Sequence, residues 1–221
     1  MGKIDIKGYI VSNDDREFYD FYGMTSTYPK MVQDAIANDE DEEITLNIAS
    51  NGGDVFAASE IYTMLRDSGK RIVVNIQGLA ASAASVISMA GNTVRISPTA
   101  HIMIHKASSG FVGNSDDMEH QSVVLNSIDE SIALAYEMKT GLKQTELLDL
   151  MAKETWLNAK TAVDKGFADE IMFSDTEEQI MVTNAVHQMP SKSAINKFKN
   201  MIAKPKTNSL REQKLKFLLE K

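Results

Sequence analysis

Three short stretches of this chain hold residue types that could act together: Ala49-Ser50-Asn51-Gly52-Gly53, Gly78-Leu79-Ala80-Ala81-Ser82-Ala83-Ala84 and Met103-Ile104-His105. A serine hydroxyl is a weak nucleophile at neutral pH and needs an adjacent base, commonly an imidazole. Ser82 reads as a strand-to-helix junction, where terminal N–H groups and the positive end of the helix dipole are exposed. The same segment also reads as a buried contact of small residues. Ser85 and Ser88 follow one and two turns into the helix and lose the terminal N–H groups, which makes Ser82 the preferred nucleophile. The pattern is not the Gly-x-Ser-x-Gly elbow of α/β-hydrolases.

The paired glycines Gly52 and Gly53 follow a strand-like run and precede a helical one. Glycines there let the backbone take unusual dihedrals and bring its N–H groups close to a ligand, although an ordinary turn uses them too. His105 closes an apolar run, a place where side chains emerge at the edge of an open α/β sheet. A structural strand-end histidine is the alternative. His101 lies on the same strand face, but no third ligand and no His-Glu-x-x-His pattern accompanies the pair, so no metal and no other cofactor is expected.

These residues need strands and helices in alternation to hold them. Apolar runs at 44–49, 72–76, 93–96 and 101–104 read as strands, and the residues between them follow helical spacing, which predicts a crossover-connected, largely parallel α/β sheet. Ala57, Ala58, Ile61, Tyr62, Met64 and Leu65 share one helix face before Gly69. A long helix is predicted over 116–139, with Met118, Val123, Val124, Ile128, Ile132, Ala135 and Met138 recurring at helical intervals and Gly141 beyond them. Leu147, Leu148, Leu150 and Met151 predict a shorter helix. Asn158 is placed to cap another that ends at Gly166, ahead of a strand at Ile171-Met172-Phe173.

Taken together the three segments resemble those of the Clp-type serine proteases, in order and in separation, over about residues 44–169. Phe21-Tyr22-Gly23, Glu154-Thr155-Trp156 and the additional tail resemble the phage head-maturation branch of that family. The resemblance implies the α/β fold shared by Clp-type and crotonase enzymes, a repeated β-β-α spiral with a long protruding helix, here followed by a basic C-terminal tail. It implies Ser82 as nucleophile, His105 as base, and the backbone N–H groups of Gly53 and Ala83 as the oxyanion hole. At the position of the family's catalytic aspartate this chain has Glu154, one methylene longer. A peptide is expected to add as a strand between Gly52-Gly53-Asp54-Val55 and Ala107-Ser108-Ser109-Gly110. The implied activity is a serine endopeptidase acting on phage structural or scaffold proteins, in a ring of its own copies. Two other readings share the fold: a crotonase-like acyl-CoA enzyme, which needs no serine and histidine pair, and a non-catalytic assembly subunit.

Composition narrows the partners. The 221 residues contain no cysteine, which removes disulfides, thiolate nucleophiles and Cys-ligated metals. Net charge is −8, divided as +7 on residues 191–221, where nine Lys/Arg face Glu212 and Glu220, and −15 on residues 1–190. That tail has few aromatics and no nucleic-acid module, so nucleic acid is not an expected partner. The least polar stretch, 78–91, is shorter than the ~20 residues of a membrane helix and holds three serines, so a cytoplasmic protein without membrane contact is expected. Nothing near the N-terminus matches the loops with which Clp subunits dock an ATP-driven unfoldase, and dependence on one is not expected. A domain of residues 1–189 and a basic, helical tail of residues 190–221 complete the expected organisation.

Overall fold

A computed structural model describes residues 2–174. The expected tail at 190–221 and its boundary at Met189 lie outside them. In chain order the elements are β1 (Gly2–Ile10), α1 (Arg16–Phe21), β2 (Ser26–Thr27), α2 (Pro29–Ala37), β3 (Glu43–Gly53), α3 (Val55–Asp67), β4 (Arg71–Ala81), α4 (Ala83–Ser88), β5 (Thr93–Ile96), β6 (His101–Ile104), α5 (Ser115–Thr140), α6 (Gln144–Ala152), β7 (Thr155–Asn158), α7 (Ala159–Asp164) and β8 (Glu170–Ile171). The fold is the expected mostly parallel α/β one.

The sheet runs β2-β1-β3-β4-β5-β8, every neighbouring pair parallel, and β4 carries a second parallel neighbour in β6. This fork follows from the length of β4. Its first half, at 73–76, pairs β5, and its last residues, Leu79 to Ala81, pair β6. The antiparallel β7 closes that branch. Ile44, Leu46 and Ile48 of β3 and Ile72, Val74 and Ile76 of β4 are buried, as β-branched and aliphatic side chains on central strands should be. Each such side chain contributes about 1.5–3 kcal/mol on burial.

Local chemistry starts and stops the helices. The Asp54 side chain accepts the Ala57 N–H and caps α3, whose Ala57, Ala58, Ile61 and Leu65 are buried. Asn114 and Asp117 form a capping box at the head of α5, which ends before Gly141 in left-handed backbone. Asn158 caps α7 through the Thr161 N–H, as its position predicts.

Two expectations need correction. The strand at 171–173 is only Glu170–Ile171, because Phe173 takes a φ of 66° that ends extended backbone. The buried face of α5 also matches only part of the apolar set named above, through Ile132, with Ile128 and Ala135 packed against the core. Asp129, Ile132, Ala133 and Tyr136 are buried, while Met118, Val123 and Met138 are exposed. The first turns of α5 carry no buried residue, since its buried positions begin at Asp129. Sequence spacing also gave no sign of α1, β2, α2 or β7.

Candidate active site

Because β4 and β6 run parallel and in register, with Ala81 opposite Met103, both end at the same edge of the sheet. Ser82 is the next residue after β4, and His105 the next after β6. The Ser82 N–H donates to the Met103 carbonyl at 2.9 Å, tying the two exits together. His105 Nε2 then lies 2.7 Å from Ser82 Oγ, within hydrogen-bonding distance.

The turn at Ser82 is sharp. Its φ of 53° and ψ of −125° lie where side chains other than glycine are rare, a conformation that costs about 1–3 kcal/mol and persists only when its surroundings dictate it. Here they do. The Ser82 carbonyl accepts the N–H groups of Ser85 (2.9 Å) and Val86 (3.4 Å) and the Ser85 hydroxyl (2.6 Å). Every residue of α4 is buried, and the alanines let it enter the core so closely. Ser85 and Ser88 are fully buried with their hydroxyls engaged, which leaves Ser82 as the serine of this helix start that meets the cleft.

The double glycine lies against this turn. A Cβ on Gly52 would sit 2.6 Å from the Ala81 carbonyl oxygen and 2.7 Å from Ser82 Cβ, and one on Gly53 would sit 2.0 Å from the Ile10 carbonyl oxygen. Neither position admits a side chain, and both take positive φ. Ser50 sets the turn, donating to the Gly8 carbonyl at 2.7 Å and accepting the Gly52 N–H at 3.0 Å. Ala83 is the first residue of α4, so its N–H has no acceptor within the helix.

Ser82, Ala83 and His105 open onto a cleft of about 340 Å³. Gly53, Asp54 and Val55 from one segment and Ala107, Ser108 and Ser109 from another are among its lining. Gly52 is buried beneath the Ser82 turn and contributes no wall. The Asp54 carboxylate is engaged in capping α3, and Ser109 Oγ accepts from Gln121 at 3.0 Å. Phe56, Val86, Val124 and Ile128 add apolar lining to the cleft. Spacing did not single out the α5 residues as cleft lining. Their periodicity was legible, but not the surface that they would face.

Glu154 is placed differently. The β6 and β7 register ends at the pair Ile104 and Thr155, so His105 and Glu154 are each the next residue past that last pair. Its carboxylate, however, is exposed and accepts the Trp156 indole N–H at 3.2 Å. Among the described residues, the hydrogen bond to Ser82 is the one that the His105 ring makes. The Glu154 φ of 48° has a local cause, since this residue follows the C-cap of α6 and its N–H reaches back to the Met151 carbonyl.

The sequence of residues 28–175 matches the family model described as Clp protease. An ATP-dependent Clp protease proteolytic subunit of Deinococcus radiodurans is 30% identical over 141 residues, covering 63% of this chain and 69% of the relative. Proteolytic subunit 2 of Tropheryma whipplei is 28% identical over 61% of this chain and 76% of its own length. Subunit 2 of Treponema denticola is 31% identical over 58% and 65%. The matched region contains the glycine turn, the serine turn and the strand-end histidine. With the parallel sheet that brings them to one edge, it establishes that the chain belongs to the Clp protease family and is a serine peptidase.

Proposed function

We propose that the chain is an endopeptidase that works through an acyl-enzyme on Ser82. The observation that carries this reading is the 2.7 Å contact of His105 Nε2 with Ser82 Oγ at the mouth of the cleft. His105 removes the Ser82 proton as Oγ attacks the scissile carbonyl carbon, and then gives that proton to the leaving amine. Water repeats the sequence to free the acid. The N–H groups of Gly53 and Ala83 receive the developing oxyanion, a kind of contact that contributes roughly 2.7–4 kcal/mol per donor in comparable hydrolases. Glu154 is the third member in this scheme. The support is that Glu154 and His105 are each the next residue past the last β6–β7 pair, and the scheme requires the carboxylate to leave Trp156 for the imidazole. The peptide lies as an added strand between 53–55 and 107–109.

The proposed substrates are phage structural or scaffold proteins. The support is the likeness of Phe21-Tyr22-Gly23 and Glu154-Thr155-Trp156 to the head-maturation branch. Self-association into a ring belongs to the same reading, supported by the exposed Met118, Val123, Leu134 and Met138 on α5, which want a partner surface. Labelling with a fluorophosphonate, followed by peptide mapping, tests the chemistry. Modification confined to Ser82 is expected, and an unmodified Ser82 sinks it. Light scattering tests assembly, where a stable monomer at micromolar concentration is the contrary result. Co-expression with a prohead scaffold protein tests the substrate, and an intact scaffold beside cleaved model peptides rejects that class.

A further inference from the structure

The buried face of α5 carries two polar side chains, one bonded to the backbone two residues past His105 and the other to the Ser85 hydroxyl, which in turn donates to the Ser82 carbonyl. Asp129 is 3% exposed and is the one acidic or basic side chain among the buried described residues. Its Oδ1 accepts the Ala107 N–H at 2.7 Å, and its Oδ2 lies 3.7 Å from Lys106 Nζ. Ala107 is two residues past His105, in a segment, 105–114, without regular secondary structure. Tyr136 lies seven residues further along α5, two turns on and therefore on the same face. It is 1% exposed, and its hydroxyl is 2.7 Å from Ser85 Oγ.

Donor counting gives this second contact a direction. Ser85 has one hydroxyl hydrogen, and it goes to the Ser82 carbonyl at 2.6 Å. Tyr136 must therefore be the donor to Ser85. Burial pushes the Tyr136 phenol above its ordinary range, so this hydrogen stays in place at every working pH. Apolar residues would fill the same volume without needing partners, so packing alone does not account for the pair.

We infer that α5 sets the spacing between Ser82 and His105, with Asp129 acting through Ala107 and Tyr136 acting through Ser85 as positioning residues. The inference rests on the peptidase reading above. Its physical basis is that both reacting groups need outside support. Ser82 occupies strained backbone, and His105 stands at the end of a four-residue strand just where regular pairing stops. One rigid helix that grips both segments keeps the donor and acceptor at reacting distance, where a misplacement of ~1 Å can cost 10²-fold.

The test measures the second-order rate of fluorophosphonate labelling per titratable site on the full chain, together with kcat and KM on a peptide. Tyr136→Phe and Ser85→Ala should each slow labelling by about tenfold, and the double variant should be no slower, because both break one link. Asp129→Ala should slow it comparably, and Asp129→Asn, which keeps a side-chain oxygen for Ala107, should recover most of the rate. Asp129→Ala and Tyr136→Phe should multiply, and kcat should fall while KM stays within twofold. Labelling rates within twofold of wild type in Tyr136→Phe and Asp129→Ala overturn the inference and leave the peptidase reading standing. So does a loss of titratable sites at unchanged rate per site, since that is loss of fold alone. If Asp129→Ala fails to fold, unchanged rates in Tyr136→Phe and Ser85→Ala decide the matter in the same direction. A wild-type chain that does not label at Ser82 overturns both readings.

Discussion

Ser82 and Glu154 both hold left-handed backbone, at φ 53° and 48°, and both stand where a strand meets a helix. Their surroundings differ. The Ser82 turn is enclosed, with its N–H on Met103, its carbonyl accepting three donors and its hydroxyl beside His105. The Glu154 turn is open, with one backbone bond to Met151 and a carboxylate resting on an exposed indole. Strain at the first turn is imposed by tertiary packing, and at the second by the local end of α6. A pair held by packing is ready before substrate arrives, while a side chain held by one exposed hydrogen bond is free to exchange partners at a cost of about 1 kcal/mol.

The comparison breaks most visibly in activity. Ser82→Ala and His105→Ala are each expected to lower kcat/KM by roughly 10⁴–10⁶-fold, with the double variant little worse, because the members of such a unit do not act additively. Peptide hydrolysis under single-turnover conditions checks this. Multiplicative losses would mean that the two residues work independently. Glu154→Gln comes next, with a fall approaching ~10⁴-fold if the carboxylate turns to His105 during the reaction, since an amide neither stabilises imidazolium nor selects the right tautomer. Near-normal turnover in Glu154→Ala removes this residue from the catalytic group.

A smaller effect sharpens the contrast. Trp156→Phe removes the indole N–H that holds the Glu154 carboxylate, and kcat is expected to rise by about twofold or more, the worth of one exposed hydrogen bond. A fall in kcat, measured at saturating peptide, would instead make the contact part of the working arrangement. Smallest are the stability effects of relieving strain. Ser82→Gly should stabilise the fold by about 1 kcal/mol, or a few degrees in thermal melting, after allowing for the added freedom of the unfolded chain. Glu154→Gly should gain about half as much. Destabilisation by Ser82→Gly would show that the hydroxyl contributes more than the strain costs.

Much of this was legible along the chain because it is local. Asn158 announced α7 through cap chemistry, the apolar runs at 44–49 and 72–76 announced β3 and β4, and Gly52 with Gly53 announced a turn with unusual dihedrals. The short elements α1, β2 and β7 left no trace, since two to six residues carry too little periodicity to register. Tyr136 and Asp129 were hidden for another reason. A polar residue within a helical pattern reads as solvent-facing until the partner that buries it is known.

The amino-acid sequence by itself determined the parts: a serine at a strand-to-helix junction, a histidine at a strand end, a double glycine, and alternating elements of a length that makes a parallel sheet. Residue type and periodicity are properties of a neighbourhood of ten or so positions, and those can be read without a fold. Only the tertiary structure decided how the parts meet. The fork of β4 sets Ala81 beside Met103 and so delivers Ser82 to His105 across 23 residues of chain. The β6 and β7 register leaves Glu154 and His105 each one residue past its last pair, with the Glu154 carboxylate on the Trp156 indole, and α5 takes Asp129 to the Ala107 N–H and Tyr136 to the Ser85 hydroxyl. Distances between residues far apart in the chain are fixed by packing and strand register, quantities that belong to the whole domain.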